Sequence, residues 1–84
     1  MNVHSLQPTL IKHNSSLSIY ASKGEHILVK VLDIEGKIAK TVTHILEEGK
    51  QELSLNLSDL SKGKYVLNAF SKDVFLNSFK FVKH

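Results

Sequence analysis

The stretch from Leu53 to Phe70, L-S-L-N-L-S-D-L-S-K-G-K-Y-V-L-N-A-F, constrains the fold of this chain more than any other. Leu53, Leu55 and Leu57 alternate with Glu52, Ser54, Asn56 and Ser58, the period-two signature of a strand with one buried face. Asp59 to Lys64 interrupts the alternation with small, polar and glycine residues. Tyr65, Leu67 and Ala69 then resume it, opposed by Val66, Asn68 and Phe70. Two strands are therefore expected on either side of a compact turn, with Leu60 and Tyr65 flanking Gly63. Glycine adopts a positive φ without steric cost. A tyrosine just after it can bury its ring while its hydroxyl finds a partner, and so pin a corner between two sheets.

The other segments read as strands added around that corner. Residues 1–16 are the least regular, with a short edge strand expected at Leu10 and Ile11 before the polar run Lys12 to Ser16. Leu17, Ile19 and Ala21 share one face of the next strand, and Ser22 to Glu25 turns around Gly24. Ile27 to Asp33 is apolar on both faces, as a central strand would be: Ile27, Val29 and Val31 point one way, Leu28, Lys30 and Leu32 the other. Asp33 to Gly36 reads as a hairpin turn with glycine in the left-handed position. Lys37 to Leu46 returns as an edge strand, its lysines discouraging unwanted pairing. Glu47 to Lys50 and Ser71 to Asp73 supply further turns, and the final strand is expected to carry Phe75, Phe79 and Phe81 on one face. Strands at such spacing, with no helical period, predict an all-β immunoglobulin-like sandwich of six to seven antiparallel strands.

Eighty-four residues suit one domain, residues 1–84. A core this small rarely contributes more than about 3–5 kcal/mol without a staple. With no cysteine, neither a disulfide nor a thiolate metal site is available. The formal charge of +3 comes from eleven lysines and no arginine, and the lysines are scattered among acidic residues. Nucleic-acid binders lean on arginine for bidentate contacts, so a nucleic-acid partner is not expected. No apolar run approaches a membrane span.

Candidate chemistry is sparse. His4, His13, His26, His44 and His84 show no H-x-H or H-E-x-x-H spacing, and Asp33, Glu35, Glu47, Glu48, Asp59 and Asp73 sit in or beside turns, where they cap or solvate. No nucleophile elbow or phosphate cradle occurs, so no catalytic residue, metal or cofactor is expected. The feature that stands out is the last strand, Phe79-Lys80-Phe81-Val82-Lys83, whose two lysines are three apart and so fall on opposite faces. Either the lysines snorkel at the rim of a half-buried strand, or a partner reads them.

Taken together, D-x-x-G-K (Asp33 to Lys37), the turn glycine Gly49, L-x-x-G-x-Y (Leu60 to Tyr65) and K-x-x-K (Lys80 to Lys83) resemble the C-terminal sorting domain of the type IX secretion system. The resemblance covers roughly residues 6–84. It departs at one point: the family opens with P-N-P, where this chain has Gln7-Pro8-Thr9. The resemblance implies a non-catalytic signal that directs a cargo protein through an outer-membrane translocon. A sortase-like surface protease then commonly cleaves ahead of the domain and can attach the cargo to the cell surface. It further implies an exported protein, periplasmic in transit and then on the cell surface or extracellular, with cargo and signal peptide upstream and Met1 as an added start residue. Lys80, Phe81, Val82 and Lys83 are the expected recognition residues, and Asp33, Gly36, Gly63 and Tyr65 the structural ones. An exposed terminal strand can also pair weakly with a second copy. The alternative is a fibronectin-like or carbohydrate-binding accessory module, for which Tyr20 alone would make a poor stacking platform.

Overall fold

Apolar side chains on both faces suit the fourth strand, β4, to the inside of a sheet, with a hydrogen-bonded neighbour on either side. The computed structural model describes residues 1–84 and contains eight strands: β1 (Asn2–Gln7), β2 (Leu10–Ile11), β3 (Asn14–Ala21), β4 (Glu25–Asp33), β5 (Ile38–Leu46), β6 (Gly49–Asn56), β7 (Gly63–Ser71) and β8 (Val74–Lys83). They form a three-stranded sheet in the order β1-β3-β6 and a five-stranded sheet in the order β2-β8-β7-β4-β5. The inner faces of the two sheets enclose one cluster of 18 buried side chains, so the protein is an all-β sandwich.

The alternation read from the sequence sets the inner faces. Leu17, Ile19 and Ala21 of β3, Ile27, Val29 and Val31 of β4, Leu53 and Leu55 of β6, and Leu67 and Ala69 of β7 are all buried. Leu57 continues the leucine series just beyond β6 and is fully enclosed. At about 25 cal/mol per Å² of apolar surface removed from water, these residues supply the main driving force for folding. β5 lies at the edge of its sheet, as expected.

Three expectations need correction. The strands number eight rather than six or seven, because β1 forms within the least regular segment of the sequence. Its polar residues conceal an inner pair, Val3 and Leu6, both buried. The sheets are not wholly antiparallel, since β2 runs parallel to β8, pairing Leu10 with Val82 and Ile11 with Lys83. β6 and β7 belong to different sheets, in keeping with a corner between two sheets, and residues 57–62 carry the chain across the sandwich. Finally, Phe75 does not share a face with Phe79 and Phe81. The register slips between β7 and β8, where Ala69 pairs with Asn77 but Phe70 with Phe75, leaving Leu76 as the extra residue of a bulge. Leu76 packs against the core while Phe75, 53% exposed, turns outward to meet Phe70 edge-on at 5.8 Å.

Candidate functional site

The terminal strand β8 and the corner that receives it form the candidate site. Gly63 starts β7 at φ 153°, a conformation that side-chain-bearing residues rarely adopt, and pairs with Lys83. Tyr65 follows with its ring buried and its hydroxyl donating to the Ser61 carbonyl at 2.6 Å. That bond ties the start of β7 back to the connection between the sheets, as the L-x-x-G-x-Y spacing leads one to expect. Phe81 lies opposite Tyr65 on β8, and the two rings stack at 5.3 Å. Lys83 completes the corner from below: it is 8% exposed, and its Nζ donates to the Leu60 carbonyl at 3.0 Å.

The D-x-x-G-K turn is built by its aspartate. Asp33 Oδ1 accepts from the backbone N–H of Glu35 and Lys37 at 2.9 and 3.0 Å, and the Asp33 carbonyl accepts from Gly36 N at 3.0 Å. Gly36 takes φ 82°, where a Cβ would be strained. Asp33, Gly36, Gly63 and Tyr65 thus all stand at turns or corners.

The four residues of the terminal strand do not form one surface. Strand alternation turns Lys80 and Val82 outward, while Phe81 and Lys83 point into the sandwich. Of the four expected recognition residues, Lys80 and Val82 show their side chains to solvent, whereas Phe81 is 2% exposed and the Lys83 ammonium is bonded to the Leu60 carbonyl. The free edge of β8 is also shorter than a terminal strand suggests. Val82 N donates to the Thr9 carbonyl at 2.8 Å and His84 N to the Ile11 carbonyl at 2.9 Å. The Gln7-Pro8-Thr9 segment links β1 in one sheet to β2 in the other and is held by Ser15 Oγ, which donates to the Pro8 carbonyl at 2.7 Å.

Beside Lys80 and Val82 the outer face of the five-stranded sheet carries Lys64, paired with Val82, and Val66, paired with Lys80. Leu32 and Ile38 continue the Lys80–Val66 row across β4 and β5. Further along, Lys30 holds its ammonium over the Phe70 ring at 5.5 Å. Lys30 and Lys64 were not singled out in the sequence, although a signal was there: residues 38–46, 63–71 and 74–83 contain no aspartate or glutamate.

One ion pair stands near the corner. Asp59 accepts from Lys40 Nζ at 3.0 and 2.9 Å, tying edge strand β5 to the connection between the sheets. The Lys40 hydrogen bond holds the Asp59 carboxyl below its ordinary value, with weaker help from the Lys83 charge. No helix is long and apolar enough to cross a membrane, and no group of three or more histidine, cysteine or acidic side chains converges to hold a metal ion.

A small β-sandwich whose sequence motifs fall on turns, a tyrosine-pinned corner and a terminal strand defines a structural module with a displayed end. Residues 11–83 match the secretion system C-terminal sorting domain, and the chain belongs to that family. It is a C-terminal sorting signal for type IX secretion, carried on a cargo precursor that engages the type IX machinery and is exported through the outer membrane. No curated protein matches the chain.

Proposed function

We propose that residues 1–84 act as one folded address, without chemistry of their own, read through the outward residues of β8. Lys80 and Val82 make the contact, while Phe81 and Lys83 act indirectly by holding the strand against the corner. The observation that carries this reading is the split of K-x-x-K: Lys80 stands exposed and Lys83 donates to Leu60 inside the sandwich. The outer-membrane translocon is the reader, and a sortase-like surface protease separates the domain from its upstream cargo. The cargo passes through the periplasm and ends on the cell surface or outside the cell.

We also infer an immunoglobulin-like arrangement. The strand orders β1-β3-β6 and β2-β8-β7-β4-β5 support it, as does a tyrosine at the start of β7 whose hydroxyl bonds back to the chain four residues upstream.

The test is export of a fluorescent reporter placed between a signal peptide and residues 1–84, in a host with a working type IX system and in a translocon-deficient strain. Reporter outside the first and trapped in the periplasm of the second is expected. Reporter retained in both, with the domain folded, makes an accessory binding module the better reading. Within the same assay, Lys80→Ala with Val82→Ser should reduce export while leaving the melting temperature unchanged. Undiminished export from that double variant would move recognition away from β8.

A further inference from the structure

The outer face of the five-stranded sheet combines two properties that soluble surfaces seldom join. Cross-strand pairing aligns outward residues across β8, β7, β4 and β5: Val82 beside Lys64, then Lys80, Val66, Leu32 and Ile38, then Ser78, Asn68, Lys30 and Thr41, then Phe75, Phe70, Leu28 and Thr43. Apolar side chains recur in three of these four rows, and Phe75, Ile38 and Val82 are 53%, 57% and 39% exposed. The charges in the rows are Lys30, Lys64 and Lys80, with no carboxylate among them. The chain's acidic residues stand elsewhere: Glu25 and Asp33 at the ends of β4, Glu35, Glu47, Glu48, Asp59 and Asp73 in turns, and Glu52 on the other sheet.

We propose that this face docks on an anionic lipid surface, an inference that goes beyond the sorting role and does not depend on Lys80 being read by the translocon. Charge complementarity selects the occupant. A second copy of the same face is disfavoured because six lysines would meet without a carboxylate to neutralise them. An anionic headgroup layer instead offers negative charge at no fixed spacing, which suits lysine, a compact point charge on a flexible stem. The exposed Phe75, Ile38 and Val82 side chains enter the boundary between headgroups and acyl chains, adding apolar burial to the electrostatic attraction. The opposite sheet has no comparable surface: its outward residues include Ser16, Ser18, Ser54 and Asn56, with Lys50 and Glu52 in the same strand.

The test uses the 84-residue chain and sedimentation with vesicles of phosphatidylglycerol and phosphatidylcholine, against vesicles of phosphatidylcholine alone. Binding to the anionic vesicles only, weakened by added salt, is expected. Each lysine should account for roughly a fivefold change in partitioning, so Lys30→Gln, Lys64→Gln and Lys80→Gln together should lower it on the order of a hundredfold. Lys12→Gln, Lys23→Gln and Lys50→Gln remove the same charge from elsewhere and should leave most of the binding in place. Circular dichroism tests whether both triple variants are folded. Should either fail to fold, the single variants at Lys64 and Lys50 carry the same comparison. Absence of binding to anionic vesicles overturns the proposal, as does equal loss in the two sets of variants. Binding to polyglutamate but not to vesicles would replace the lipid with an acidic protein. Concentration-dependent dimers abolished by the Lys30, Lys64 and Lys80 substitutions would replace it with a second copy.

Discussion

The two outer faces of the sandwich differ although the two inner faces serve the same core. On the three-stranded sheet, β3 and β6 present Ser16, Ser18, Tyr20, Lys50, Glu52, Ser54 and Asn56, a mainly polar surface with one ring and charges of both signs, in which Ser18 Oγ donates to Glu52 at 3.4 Å. On the five-stranded sheet, leucine, valine and phenylalanine alternate with lysine, and the carboxylates are confined to the strand ends and turns. Folding requires only that one face of each sheet be apolar, so nothing in core formation demands the second, mixed face. That surplus of apolar side chains on one outer surface belongs to what the domain meets rather than to what holds it together.

The comparison can be broken most severely through the core that both sheets share. Leu67→Ala removes a fully buried side chain of β7 that pairs with Val31 and Phe79. A loss of about 2–5 kcal/mol is expected in chemical denaturation, enough to unfold a domain of this size. Ser54→Ala on the neutral face should stay within about 0.5 kcal/mol. Gly63→Val comes next, with an expected loss of about 1–3 kcal/mol. A Cβ there meets nothing within 4 Å, so the cost is backbone strain alone, and an unchanged melting temperature would remove the turn assignment.

The two lysines of the terminal motif sharpen the contrast between the inner and outer sides of one strand. Lys83→Met keeps the apolar stem but leaves the Leu60 carbonyl without its donor, so a loss of about 1–2 kcal/mol is expected. Lys80→Met, on the exposed side, should change stability by less than about 0.5 kcal/mol. Equal effects in thermal denaturation would mean that Lys83 is not the corner's latch. A double lysine-to-alanine substitution therefore mixes recognition with folding, which is why Lys80 with Val82 is the cleaner pair to change.

The smallest effect should follow pH. Asp59 is held below its ordinary value of 3.8 by the Lys40 hydrogen bond, so the folded chain favours its charged form. That contribution is present above the unfolded carboxylate value and is lost as pH falls below it through the lowered folded value. Because the carboxylate is 65% exposed, solvent screens the pair and the effect is small. Asp59→Asn should remove this part of the acid dependence in denaturation curves from pH 5 to pH 2, roughly the carboxylate range; identical curves would mean the pair contributes nothing.

Much of the architecture was legible because period-two alternation is a local property. Leu53, Leu55 and Leu57, Ile27, Val29 and Val31, and Leu17, Ile19 and Ala21 each declare an inner face, and all are buried. The turns were legible for the same reason, since Asp33 and Gly36 satisfy and bend the chain within a few residues of themselves. Strand β1 escaped because Val3 and Leu6 are separated by three residues rather than two: the pairing with β3 shifts register between Val3 and Ser5, and the irregularity hides the period. The Leu76 bulge misled in the opposite direction, as an unbroken alternation in the sequence wrongly placed Phe75 on the inner side.

By itself, then, the sequence determined the class of fold, the inner face of most strands, the tyrosine corner and the family, because those depend on side-chain period and short-range spacing. Which strands become neighbours was decided only in three dimensions. β2 and β8, far apart in the chain, meet in parallel, and β7 comes to lie between β8 and β4. The fate of the two terminal lysines followed from that assembly. Opposite parity could say that Lys80 and Lys83 diverge, but only the packing of β8 against the Leu60 corner made one a buried donor and left the other in solvent.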